Sequence, residues 1–289
     1  MKPVLYPRIS LVLISLVLLT FLLGCGSSPP SALSYNFKQG LADVTMRLLP
    51  QAPPEKIYPS SSFKIMAELD NQLAYDLTEG TVSIVGLDQQ YFQVIPLQQT
   101  IPVLLGRSFT APSGEKTMVE FDGTAQYLID NAKEYVGNYF LTLRYNSNVD
   151  FSDSICINPN LYDVYDAGCK VQPQKSYSGQ GAPVAVTKLE EIITPGAAVE
   201  FRLTVANRGR GKVNSLTLGA ARLGSQEMTC LFGGTAGNSR TITWPKEKQE
   251  VPIICRAILK DQSSYTTTIA VDFTYSYERV EQQKLRMVR

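Results

Sequence analysis

Five cysteines, scattered pairs of carboxylates and two glycine-rich loops are the residues of this 289-residue chain whose types and spacing could do chemistry. Histidine is absent, which removes Ser-His-Asp triads, Cys-His dyads and imidazole metal sites. "RGRGK", Arg208, Gly209, Arg210, Gly211 and Lys212, invites a phosphate or nucleic-acid reading. It lacks G-x-x-x-x-G-K-[ST] and interleaved aromatics, so it reads as a turn whose glycines tolerate positive φ. "GGTAGNS", residues 233–239, could cup an anion with its N–H groups, but no helical run follows, and it reads as a loop. Asn146, Asn148 and Asp150 have the spacing that opens a calcium loop; Phe151 stands where the glycine belongs, so a hairpin tip is expected and no metal. The pairs Glu190–Glu191 and Asp163–Asp166 suggest acid–base work only if a pocket raises one pKa, and the sequence shows none. Solvated charge is the expectation, with no catalytic residue and no cofactor.

Lys2 and Arg8 precede an uncharged apolar run, residues 9–24, that ends at Cys25. This is the pattern of an export signal, and sixteen residues fall short of the about 20 that a membrane-spanning helix needs. Leu22, Leu23 and Gly24 before Cys25 resemble a lipobox, which implies cleavage before Cys25 and lipid on its thiol. Bulky Leu23 keeps an uncleaved membrane anchor as the alternative. Both readings put residues 26 onward outside the cytoplasm, with 26–41 as a flexible tether. The remaining cysteines, Cys156, Cys169, Cys230 and Cys255, are even in number, as disulfides in an exported chain require. Of three connectivities, proximity favours Cys156–Cys169 and Cys230–Cys255; without a C-x-x-C pair a zinc site is disfavoured. With 27 Lys and Arg against 26 Asp and Glu, no field steers the chain toward nucleic acid.

The elements that must position these residues come in two copies. "EKIYPSSSFKIMAELDN" from Glu55 and "EIITPGAAVEFRLTVAN" from Glu191 match at an offset of 136. Phe63, Ile65, Ala67 and Leu69 fall on Val199, Phe201, Leu203 and Val205, and Asn71 falls on Asn207. Tyr139, Leu141, Leu143, Tyr145, Ile155 and Ile157 match Ile269, Val271, Phe273, Tyr275, Leu285 and Met287 at an offset of 130. The period of two marks strands with one buried face. The predicted fold is all-β: two tandem immunoglobulin-like β-sandwiches after the N-terminal signal or anchor, residues 1–25, and the tether. The first spans 42–171 and the second 184–289, joined by a linker at 172–183. Each copy is expected to open with an alternating strand and close with a long hairpin, and 122–137 to hold a short helix. Tyr135, Tyr139, Tyr145, Tyr275 and Tyr277 are expected in or around the cores, a sugar-stacking platform being the alternative, and Trp244 to plug a sandwich end.

"VEFRLTVANRGRGKV" resembles the adhesion-type immunoglobulin-like modules called CARDB. With "CINPNLYDVYDAGCKV" and "SGQGAPVAVTKLEEIITPGAAVEFRLTVANRGRGKV", the chain is similar to uncharacterised membrane-anchored archaeal surface proteins. The first copy departs from the pattern, with "DNQLAY" where Asn and Gly are expected. The resemblance implies a non-catalytic surface protein with an adhesive, binding or envelope-structural role, attached to the membrane by its N-terminal lipid or helix. A surface protein or a glycan would be its further partner. The alternatives are a filament or layer subunit assembled by strand-edge pairing, and a glycan-binding lipoprotein.

Overall fold

The period of two governs nearly every element of the protein. A computed structural model describes residues 36–129, 132–159, 168–194, 198–233, 239–259 and 263–289; the expected signal segment with Cys25 and most of the expected tether lie outside them. The first copy contributes β1 (Val44–Leu48), β2 (Ser62–Asn71), β3 (Thr78–Val85), β4 (Phe92–Ile95), β5 (Gln98–Thr100), β6 (Lys116–Ala125) and β7 (Glu134–Ile157). The second follows with β8 (Gln174–Ser176), β9 (Val184–Thr194), β10 (Ala198–Asn207), β11 (Lys212–Leu223), β12 (Gln226–Glu227), β13 (Thr229–Phe232), β14 (Thr241–Thr243), β15 (Glu250–Ile258) and β16 (Tyr265–Val288). No helix occurs among the described residues, and the one expected within 122–137 is replaced there by the end of β6, a connection and the start of β7. The fold class is all-β, as the alternation predicts.

The matched segments occupy matched places. β2 lies between β1 and β6 in a four-stranded sheet, and β10 lies between β9 and β15 in a five-stranded one. All four inward positions of each are buried. Asn71 and Asn207 end these strands with the same device. Each side-chain oxygen accepts from the N–H two residues on, Leu73 at 3.1 Å and Gly209 at 3.2 Å, and each amide donates to the carbonyl four residues on, Tyr75 at 3.1 Å and Gly211 at 2.9 Å. This is the local competition with the ladder that makes Asn a strand terminator. The first copy uses it despite its "DNQLAY".

The closing hairpins are corrected by the structure. β7 and β16 are single strands of 24 residues, about 80 Å long at the usual rise, and pair antiparallel along their whole length, from Glu134–Val288 to Ile157–Tyr265. Asn146, Asn148 and Asp150 therefore lie mid-strand. The cause is phase: Tyr145, Ser147, Val149 and Phe151 are all buried on one face, so the alternation runs through the polar stretch without the break a turn imposes. Asn146 faces Ser276, its own counterpart in the repeat, which puts an approximate dyad between the strands.

Each long strand serves both copies. The first half of β7 pairs with β3; its second half runs over the second copy, where Phe151 meets Tyr177 edge-on with ring centroids 4.9 Å apart. The first half of β16 pairs with β11; its second half crosses to the first copy, where Arg286 O accepts from Ile57 N–H and Val288 N–H donates to Ile57 O, both at 2.9 Å. The result is one seven-stranded sheet common to both copies, and Asn36–Arg289 form one compact unit. Residues 172–183, expected as a linker, are built into it. β8 edges the five-stranded sheet, the buried Gln180 amide grips Val186 N–H and C=O, and Gly181 O accepts from Ala74 N–H at 2.8 Å.

Candidate functional site

Polar side chains gather where a long strand crosses into the other copy. At the β7 crossing, Lys175 Nζ donates to Asp153 Oδ2 at 2.8 Å and to Ser154 O at 2.7 Å, and Tyr177 OH donates to the same carboxylate oxygen at 2.7 Å. Burial pushes the Asp153 carboxyl up, but these two donors outweigh it and hold the group below its usual range. Beside them Ser154, Cys156, Cys169, Lys170, Lys175 and Glu191 line a pocket of about 220 Å³. The Cys156–Cys169 disulfide forms one wall.

Glu191 is the chemically distinct member. Its side chain points inward from β9, it is 8% exposed, and its Oε1 is buried without a hydrogen-bond partner among the described residues. Burial pushes its carboxyl up to about 7, against the pull of the Lys175 ammonium. The sequence reading of this residue as solvated charge is thus corrected. Its signal was in the strand, because Leu189, Glu191 and Ile193 share one phase of the alternation. Glu190, one position back, faces outward to Lys188. The adjacent pair is split by the pleat, so Glu190 and Glu191 do not share a site.

At the β16 crossing Arg279, 9% exposed, donates from Nη1 to Val44 O at 2.7 Å and to Asp43 Oδ2 at 3.3 Å, and from Nη2 to Glu281 Oε1 at 2.9 Å. Burial raises the Asp43 pKa while the Arg279 charge opposes the rise. This clasp joins the second copy's strand to the first strand of the first copy. No motif announced it, since it forms between residues more than two hundred positions apart.

The other candidate residues are placed as follows. Cys156–Cys169 and Cys230–Cys255 are both bonded, the second bridging directly opposed residues of β13 and β15. The Arg208–Lys212 stretch is a turn, but its glycines are not at positive φ; close approach demands them. A Cβ on Gly209 would stand 2.2 Å from Tyr277 Oη, and one on Gly211 would stand 2.4 Å from Glu278 O. Tyr139, Tyr145, Tyr275 and Tyr277 are core residues, and the half-buried Tyr135 stacks on Tyr91 with ring centroids 3.7 Å apart. Trp244 is buried, its Nε1 donating to Lys248 O at 2.8 Å. Asp150 pairs with Lys38 at 2.7 Å and Asn146 donates to Glu79 at 2.6 Å, and no group of three metal-binding side chains occurs among the described residues. Asp163, Asp166 and residues 234–238 lie outside them. No described helix is long and apolar enough to cross a membrane.

No family model matches the chain, and no curated protein matches it. Among solved structures, the crystal structure of the E. coli chaperone DraB is similar over 78% of this chain and 84% of that chain, at 9% identity and a TM-score of 0.21. A likeness this remote bears on neither fold nor function.

Proposed function

We propose that the protein is a non-catalytic, extracytoplasmic module held to the membrane by its N-terminus, through lipid on Cys25 or an uncleaved helix, with an adhesive, binding or envelope-structural role. The observation that carries the reading is the pair of disulfides, Cys156–Cys169 and Cys230–Cys255, which fit an oxidising compartment and agree with the export pattern of residues 1–25. The CARDB-like stretch "VEFRLTVANRGRGKV" supports the same reading: it is a strand and turn devoted to building the frame. The two most buried ion pairs among the described residues, Arg279 with Asp43 and Lys175 with Asp153, join the two copies, which supports a structural use for them over a catalytic one. Assembly by strand-edge pairing is the weaker alternative. Such assembly favours long open edges, whereas the terminal strands of the three sheets, β1, β4, β5, β8, β12 and β13, run to only two to five residues.

Flow cytometry on intact cells with an antibody to residues 184–289 tests the location; a signal that appears only after lysis contradicts it. Intact mass of the native protein reads the lipid on Cys25 and the two oxidised cysteine pairs together.

A further inference from the structure

The chain enters the fold against an apolar loop. The Arg107 guanidinium lies 5.9 Å from the centroid of the Phe37 ring. From another side Gly181 approaches so closely that a Cβ there would stand 2.3 Å from Phe37 O. Arg107 belongs to the loop of residues 101–111, which turns Ile101 and Leu104 into the core and sends Val103, Leu105 and Phe109 outward, each more than half exposed.

This loop is braced. Leu104 and Leu77 exchange both backbone hydrogen bonds, at 2.9 and 3.1 Å, and Arg107 N–H donates to Leu73 O at 2.6 Å. Leu105 N–H donates to the Glu115 carboxylate at 2.8 Å, and its carbonyl accepts from Glu115 N–H at 3.1 Å. Single apolar side chains on a surface call for no explanation. Three held outward on one fixed loop, beside the chain's point of arrival, mark an interaction surface.

The chain outside the structure says what covers it. Ten residues, "GSSPPSALSY", separate Cys25 from Asn36. Ten residues reach at most about 35 Å. With Cys25 at a bilayer, as proposed above, that reach brings the loop beside Phe37 to the lipid surface at high effective concentration.

We propose that Val103, Leu105 and Phe109 form a membrane-docking loop, which inserts into the interfacial layer of the bilayer that holds the N-terminus. This rests on the anchored reading given under Proposed function. The loop adds a second, weaker attachment to the first, and the two together fix how the long sheet is presented.

The test uses the full chain in phosphatidylcholine vesicles with and without brominated acyl chains, and tryptophan fluorescence as the readout. Trp244 is the sole native tryptophan and is buried, so it supplies a baseline. Phe109→Trp is expected to add emission that brominated lipid quenches about twofold, as an interfacial indole would be. Tyr58→Trp, also on the surface but beside the far end of β16, is expected to show no quenching. Adding Val103→Asp and Leu105→Asp to the Phe109→Trp chain should abolish the quenching while the protein still floats with vesicles. Flotation without quenching of Phe109→Trp overturns the loop proposal and leaves the anchor standing, the loop then facing a protein or solvent. Failure to float overturns the anchor and the loop with it.

Discussion

In the first copy Phe63 of β2 lies opposite Gly123 of β6, and Ile65 opposite Phe121; in the second, the matched pairs are Val199 opposite Ala257 and Phe201 opposite Cys255. Large against nothing becomes medium against small, and the aromatic ring changes strands. Phe63 fills the space above Gly123 so fully that a Cβ there would stand 2.4 Å from its ring, and it meets Phe92 edge-on at 5.8 Å. The second copy closes the corresponding region with the Cys230–Cys255 bridge. Size is thus redistributed across the cross-strand pairs and not held position by position. The repeat preserves which positions face inward and leaves their sizes free to trade. The copies differ outside as well: the outer face of the first carries Val85, Val136, Phe140 and Val280, whereas Thr266, Thr268, Ser152 and Ser154 occupy that face over the second.

The comparison breaks most severely if the shared strand is cut. A chain ending at Glu278 removes the part of β16 that closes the first copy, with buried Arg279, Leu285 and Met287, at an expected cost above about 5 kcal/mol. Hydrogen exchange should show β1, β2 and β6 losing protection; retained protection there would refute the strand exchange. Arg279→Ala comes next, at about 3–5 kcal/mol in urea unfolding, because Asp43 is left buried without its counter-charge. Replacing Cys230 and Cys255 together by alanine should cost about 2–4 kcal/mol, with the exchange protection lost first in β13 and β15; a first copy that responds equally would show the halves to be one cooperative unit.

The smallest effect depends on pH. Glu191 carries a raised pKa in the folded state, so its contribution to stability is fully present below about 4.5, the ordinary carboxyl value, and is lost as pH rises through about 7. Glu191→Gln should therefore match the parent near pH 4 and exceed it by about 2 kcal/mol at pH 8. Thermal melts across that range decide it, and an unchanged slope with pH would place the carboxyl in water.

The sequence made the inward faces legible because burial on one side of a strand writes itself as alternation. Every matched position from Phe63 to Met287 obeys it. Which edge a strand presents to which neighbour leaves no such mark, and so the exchange of β7 and β16 between copies was unreadable. Asn146, Ser147, Asn148, Asp150, Ser152 and Asp153 have the composition of a turn; pairing with β16 on one edge and capping by Tyr75, Lys175 and Tyr177 on the other override that preference. Glu191 was within reach, as a carboxylate on the inward phase of "KLEEII". Gly209 and Gly211 lie in the turn that the sequence predicts but for another cause, since the neighbour that excludes a Cβ, Tyr277, arrives from the far end of the copy.

The ladder between the two 24-residue strands has a mechanical meaning. Its backbone bonds lie across the long axis, and at one tip of that ladder Arg289 N–H donates to Lys133 O at 3.0 Å. A load applied at that tip and resisted near mid-length, where Lys38 pairs with Asp150, runs along the strands. It must shear a bank of rungs together instead of unzipping them singly, so the frame yields late and abruptly.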